Sequence, residues 1–144
     1  MASSRNISDD KIVDLESVRY LDFDSFEKEN KRTLLNPNDI LLTTVATLGR
    51  SCIYNGNPPN LCFQRSVSVL TTLILPSFLK LIFDSPYFQN YIIENATGTA
   101  QKGFYLNQLE NTIVNIPPLQ EQHRIVLCVE KYFSQLNKIE TALK

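Results

Sequence analysis

Eleven side chains have types that suit a chemistry of recognition: Arg32, Thr43, Thr44, Thr47, Arg50, Gln64, Arg65, Thr97, Thr99, Gln101 and Lys102. Arginine and glutamine can hydrogen-bond a base edge at two points, and lysine and threonine can hold phosphate oxygens. All eleven fall on predicted loops and their margins. Nucleic-acid reading is one use for such a set, and an ordinary solvated surface is the other.

Catalytic chemistry has few footholds. His123 is the single histidine, so a histidine metal cluster is excluded and a Ser-His-Asp triad would have to use it. It falls in the first turns of a predicted helix beside Arg124, a solvated position. No G-x-x-x-x-G-K-[ST] or G-x-G-x-x-G run occurs, and four glycines leave little for phosphate-cradling loops. Asn57-Pro58-Pro59-Asn60 approaches the Asn-Pro-Pro-aromatic motif of amino-methyltransferases. Asn60 replaces the aromatic, however, and no glycine-rich cofactor loop precedes it, so a turn is the better reading. Asp9, Asp10, Asp14, Asp22 and Asp24 lack the spacing and central glycine of a calcium loop and read as a solvated face. No metal site and no cofactor is expected.

The elements that would position the recognition set follow from patterning. With 144 residues, 43% apolar and 10% aromatic, the chain can bury a core. Its net charge of −1 conceals an uneven distribution: residues 1–29 hold eight acids and four bases, whereas residues 30–144 hold seven acids and ten bases, an excess of +3. That excess permits phosphate contacts without requiring them. Cys52, Cys62 and Cys128 form no secretory framework and no signal peptide is evident, so a cytoplasmic home is expected. The most apolar stretch, 66–83, is interrupted by Pro76 and Lys80 and reads as strand then buried helix, with no membrane partner.

Along the chain, residues 1–10 read as polar and loose, 18–23 as a strand, and 25–32 as a short helix or exposed loop. Asn36-Pro37-Asn38-Asp39 is a turn signal, and the β-branched content of 40–46 predicts a buried strand. Leu48-Gly49-Arg50 then turns the chain into a partner strand at 52–54. Residues 55–60 form a loop, and 61–75 allow one or two more strands. A helix is expected over 75–95, restarted where Ser85 can cap and Pro86 can occupy the first turn. Residues 97–103 must be irregular, 106–110 allow a helical turn, and 112–116 a last strand.

A long amphipathic helix closes the chain. Ile125, Val129, Tyr132, Leu136, Ile139 and Leu143 recur in steps of four and three, an a/d seam of about three heptads. From Pro118 to Leu143 such a helix spans roughly 39 Å. Pro118 and Glu121 suit its N-terminus, and Lys138 and Lys144 its C-terminus. The seam offers pairing between two helices as an alternative to simple docking on a core.

The order of these motifs resembles one family. Asn38-Asp39-Ile40-Leu41-Leu42-Thr43-Thr44 with Leu48-Gly49-Arg50 is similar to the "GDILLT…IGR" stretch of type I restriction-modification specificity subunits. Ala96-Thr97-Gly98-Thr99-Ala100-Gln101-Lys102-Gly103, followed by Leu106 and Leu109, resembles their "GTAQ…L" segment. Residues 115–126 resemble "IPIPPLxEQxRIV", the entry to their long helix. The likeness covers roughly 18–144. It implies a mixed α/β (α+β) fold: a small twisted-sheet target-recognition domain over 1–116, followed by a coiled-coil spacer and dimerisation helix over 117–144. It also implies a non-catalytic reader of double-stranded DNA that docks methyltransferase subunits and, through them, the restriction subunit, with a homodimer through the helix as a further arrangement. The resemblance departs from the family in two places. Only one domain and one helix are present, with the family's first strands missing before Val18, which fits a half-length subunit, a truncated product or a fragment. Asn38 also stands where glycine is usual, in a left-handed position that Asn tolerates. The alternative is a protein-interaction scaffold that keeps only the assembly helix. A small methyltransferase is disfavoured by the missing cofactor loop.

Overall fold

The computed structural model describes residues 1–8 and 10–143; Asp9 and Lys144, invoked above for an acidic face and a helix end, lie outside them. Among the described residues the strands are β1 (Ile7–Ser8), β2 (Lys11–Ile12), β3 (Ile40–Thr43), β4 (Ser51–Ile53) and β5 (Val67–Leu70). The helices are α1 (Phe23–Thr33), α2 (Pro76–Asp84), α3 (Pro86–Asn95), α4 (Leu106–Glu110) and α5 (Leu119–Ala142). This is the expected α+β mixture with a long last helix.

All four residues of β3 are 0% exposed. Successive strand side chains point to opposite faces, so such a run needs a cover on each side. Leu41 faces a core with Ile7, Cys52, Tyr54, Phe63 and Val67, whereas Ile40 and Leu42 face a second with Phe83, Phe88, Ile92 and Phe104. The three-stranded antiparallel sheet, ordered β4-β3-β5, is the partition between them. Its register places Leu41 opposite Cys52 and Val69, and Ile40 opposite Ile53 and Leu70. In the second core the Phe83 and Phe88 ring centroids are 4.7 Å apart, and Phe104 meets Phe88 edge-on at 6.4 Å.

The turn into β3 is fixed as expected. Asn38 takes a left-handed φ of 74°, and buried Asp39 accepts from the Asn36 N–H at 2.7 Å and from the Thr71 hydroxyl at 2.8 Å. The 48–50 turn and the β3–β4 hairpin also form. Helix α1 begins where the Asp22 carboxylate accepts from the Ser25 N–H at 2.8 Å and its hydroxyl at 2.9 Å. These bonds hold the Asp22 carboxyl below its ordinary pKa. The break between α2 and α3 falls at Ser85, whose hydroxyl caps Phe88 N–H at 3.3 Å.

Two polar contacts hold outlying elements to α2. Buried Lys80 donates to Asp10 and to Asp84, each at 2.5 Å. Burial alone would lower the Lys80 pKa, but these hydrogen bonds and charges outweigh it and hold the value above that of an ordinary lysine. At the start of α2, Leu75 has no side-chain cap of its own. Its N–H instead donates to Gln122 Oε1 of α5 at 2.9 Å, while Gln122 Nε2 donates to the Pro117 carbonyl at 2.9 Å. Gln122 is 3% exposed and Val126 7%. From Glu130 to its end at Ala142 every residue of α5 is exposed, as is Leu143 after it.

Three expectations fail. The stretch expected to be loose over 1–10 is not so in its described residues, 1–8 and 10: Ala2 bridges Phe63 in parallel, Ile7 is fully buried, and two short strands precede Val18. Buried Asn6 is satisfied internally, its Nδ2 donating to the Val13 and Asp14 carbonyls at 3.2 and 3.1 Å. Residues 18–22 form no strand, because Val18 turns inward against the first core while Tyr20 is exposed and Asp22 is committed to capping. Residues 112–116 are likewise not a strand; Ile113 and Ile116 are exposed, no sheet edge meets them, and Pro117 and Pro118 lack N–H donors. The stretch 61–75 holds one strand, β5.

Because β3 is buried on both faces, Leu41→Ala and Leu42→Ala should each destabilise the fold by about 2–5 kcal/mol, the range for a buried leucine truncation. Urea denaturation of the two variants checks this. A loss at only one position would mean that one face of the sheet is open.

Candidate nucleic-acid interface

Three chain segments converge where β3 ends and β5 begins. Thr44 N–H donates to the Ser66 carbonyl at 2.9 Å, Phe104 N–H to the Thr44 carbonyl at 2.8 Å, and Ala46 N–H to the Lys102 carbonyl at 3.2 Å. Thr97 and Gly103 exchange both backbone bonds, at 2.9 and 2.8 Å, so residues 97–103 are an exposed loop closed at its base. Gly98 makes that loop feasible. Its φ is 113°, and a Cβ there would stand 2.3 Å from the Gln101 carbonyl oxygen.

These segments and the end of α1 enclose an open cleft of about 560 Å³, lined by Arg32, Thr44, Arg65, Ser68, Tyr105 and Asn107 among others. Arg65 and Asn107 are exposed, and their side chains have no hydrogen-bond or ion-pair partner among the described residues. Arg32 is held at the rim: it pairs with Glu29 at 3.4 Å and donates to the Phe63 carbonyl. A planar ring, a free amide and two guanidinium groups around one opening can stack on and hydrogen-bond flat heteroaromatic edges.

The expected residues divide accordingly. Arg32, Thr44 and Arg65 line the cleft, and Thr47, Thr97, Thr99, Gln101 and Lys102 lie on the two loops bonded to its rim. Gln64 is exposed beside Arg65, its N–H donating to the Ala2 carbonyl at 2.8 Å. Arg50 lies outside the cleft lining, its guanidinium directed at the Ile7 carbonyl 3.4 Å away. Thr43 is fully buried, and its hydroxyl donates to the Arg50 carbonyl and accepts from the Arg50 N–H, so it closes the hairpin and cannot face a ligand. Ser68, Tyr105 and Asn107 were missed. The aromatic pair Phe104-Tyr105 directly after the glycine-flanked loop was the available signal.

Other chemistry is sparse. His123 is exposed on α5, and no group of three or more metal-ligating side chains forms among the described residues. Burial pushes the Cys52 thiol up to about 11 and raises Cys62 as well, so both are poor nucleophiles at neutral pH. Among the described residues no helix is long and apolar enough to cross a membrane.

Residues 17–144 match the family described as the type I restriction modification DNA specificity domain, and the chain belongs to that family. It is 32% identical over 131 residues to the type I restriction enzyme EcoBI specificity subunit of Escherichia coli, covering 89% of this chain and 27% of that protein. With the EcoKI specificity subunit of Escherichia coli K12 it shares 28% identity over 145 aligned positions, which take in 89% of this chain and 29% of that one. The chain thus spans less than a third of the length of these relatives. Its fold is similar, at a TM-score of 0.58 and 20% identity, to a chain of a solved structure concerning complex assembly and conformational transition of the type I R-M system; the match takes in 75% of this chain and 26% of that one.

The loop geometry makes a specific prediction. Gly98→Ala should strain residues 97–103 by roughly 1–3 kcal/mol and leave both cores intact. Amide exchange at Thr97 and Gly103 should accelerate while that of Leu41 stays unchanged; equal protection of the loop in both proteins would contradict the assigned turn.

Proposed function

We propose that this chain is a DNA-reading part of a type I restriction-modification specificity subunit. Residues 1–116 recognise a short half-site on double-stranded DNA, and residues 117–144 form the spacer that sets the distance to a second recognition domain. The chain reads and does not catalyse. Methylation and cleavage belong to the methyltransferase subunits on which it docks and to the restriction subunit reached through them.

The observation that carries this reading is the cleft at the end of the sheet, in a chain whose family is one of DNA specificity domains. Arg65 and Asn107 stand there unpartnered, and each can grip a purine edge at two points, arginine on guanine and asparagine on adenine. Lys102, Thr97 and Thr99 on the adjoining loop supply phosphate contacts, which position the duplex without reading it. The spacer role is supported by the exposed second half of α5, where Tyr132, Leu136, Ile139 and Leu143 remain 57% to 83% exposed. Two copies pair through this seam, which begins at Ile125 and Val129.

Binding to labelled duplexes across a range of salt tests the reading. Affinity should fall steeply with ionic strength, because bound cations release counterions from phosphate. Lys102→Ala should weaken binding to all sequences alike and reduce the salt slope by about one, whereas Arg65→Ala should lose roughly 1–3 kcal/mol on the preferred site alone. Arg50→Ala should leave base preference unchanged. Salt-independent binding, or Lys102→Ala and Arg65→Ala variants indistinguishable from the parent protein, would reject the proposal.

A further inference from the structure

The first turn of α4 exposes apolar surface that neither core uses. Tyr105 is 49% exposed and Leu106 60%, whereas Leu109 of the same helix packs against the second core. Both exposed side chains line the cleft of about 560 Å³ at the end of the sheet, beside Asn107. The lining is otherwise mostly polar, with Arg32, Arg65 and Ser68 part of it. Large apolar side chains in such a setting call for an apolar group on the ligand.

Tyr105 is also held in place. Gly103 bridges both Val45 and Thr97, which fixes its backbone. A Cβ at Gly103 would stand 2.8 Å from Tyr105 Cζ and 2.9 Å from its hydroxyl oxygen, so the ring lies directly over that glycine. Phe104, between the two, points the other way into the second core, where it is fully buried. A ring seated like this is ordered before any ligand arrives, which lowers the entropy lost on binding.

We infer that the first turn of α4 reads one A·T base pair, with Tyr105 and Leu106 packed on the thymine 5-methyl group and Asn107 bonded to the adenine of the same pair. The inference rests on the DNA reading above and adds a specificity contact within it. In the major groove the thymine methyl is the one apolar group that the standard bases display, and the partner adenine presents N6 and N7 on the same edge of the pair. The asparagine amide bonds that adenine at two points, and the apolar wall adds a contact that no G·C pair can return. Gly103 is a positioning residue, because its missing side chain is the room in which the Tyr105 ring lies.

The full chain is first used to select its preferred site from a random duplex library. Each thymine of that site is then replaced by deoxyuridine, which removes only the methyl group. One replacement should weaken binding about fourfold, the worth of one buried methyl carbon, and the others should have no effect. Placing 7-deazaadenine opposite that thymine should weaken binding too, and Asn107→Ala should abolish this second effect. Tyr105→Ser keeps the backbone N–H that donates to Gln108 Oε1 at 2.7 Å, and it should bind the thymine and uracil duplexes alike. Gly103→Ala retains the ring but displaces it, so the same discrimination should shrink; an unchanged preference would remove the glycine's positioning role. A selected site without an A·T pair, or a parent protein indifferent to every uracil replacement, overturns the inference, and neither outcome depends on a variant folding. Full preference for thymine in Tyr105→Ser overturns it as well. Affinity that falls steeply with salt alongside indifference to uracil rejects the methyl contact and leaves the DNA reading standing, whereas salt-independent binding rejects both.

Discussion

A strand with no solvent face obliges the chain to build on both sides of it, and β3 sets the plan of this molecule in that way. Leu41 requires one layer, supplied by the N-terminal segment and the residues around Phe63. Ile40 and Leu42 require another, supplied by α2, α3 and Phe104. Both layers are recruited from segments distant in sequence. Their return to the sheet brings three connecting segments together at the end of β3, where backbone bonds from Thr44 reach Ser66 and Phe104. The cleft lined by Arg65 and Tyr105 is therefore a by-product of closing the second core. Its backbone is pinned by buried neighbours even though two of the side chains that line it, Arg65 and Asn107, have no partner among the described residues.

The last helix obeys a different constraint. Its root is secured by Gln122, which supplies both the missing cap of α2 and a donor for the Pro117 carbonyl. A buried amide with one donor and one acceptor engaged fixes orientation as well as position, which a purely apolar contact through Val126 would not. Beyond Val129 the helix leaves the domain altogether. One element thus serves as core at one end and as free surface at the other, and Gln122 lies on the core side of the change.

How much of this could be read from residue types depends on whether the deciding contact is local. The left-handed Asn38, the restart at Ser85-Pro86 and the long helix follow from short-range patterning, and each forms; the strand expected over 40–46 forms too but stops at Thr43, before Ala46 takes a positive φ. The order of the N-terminal segment was hidden because Ser4 and Asn6 look like loop residues until the Ser4 N–H finds the Ser66 hydroxyl and the Asn6 amide finds the Val13 carbonyl. The strand expected at 112–116 had the right β-branched content and no edge to join. Arg50 and Arg65 were equivalent as sequence, and only tertiary structure turns one toward Ile7 and the other into the cleft. Thr43 illustrates the same limit: a hydroxyl suited to phosphate is consumed by the hairpin it closes. Asn107 and Tyr105 escaped notice because the cleft joins residues some forty positions apart.

The attachment of α5 has a mechanical consequence. A rod held near one end behaves as a lever, and the free part beyond Val129 is about 20 Å long. A tilt of about 10° at the Gln122 anchor, about 30 Å from the tip, displaces that tip by about 5 Å, more than the 3.4 Å rise between successive bases in a duplex strand. Positional accuracy at the far end is then governed by the stiffness of two hydrogen bonds at the near end. Wear at that joint would blur distance before it loosened the fold.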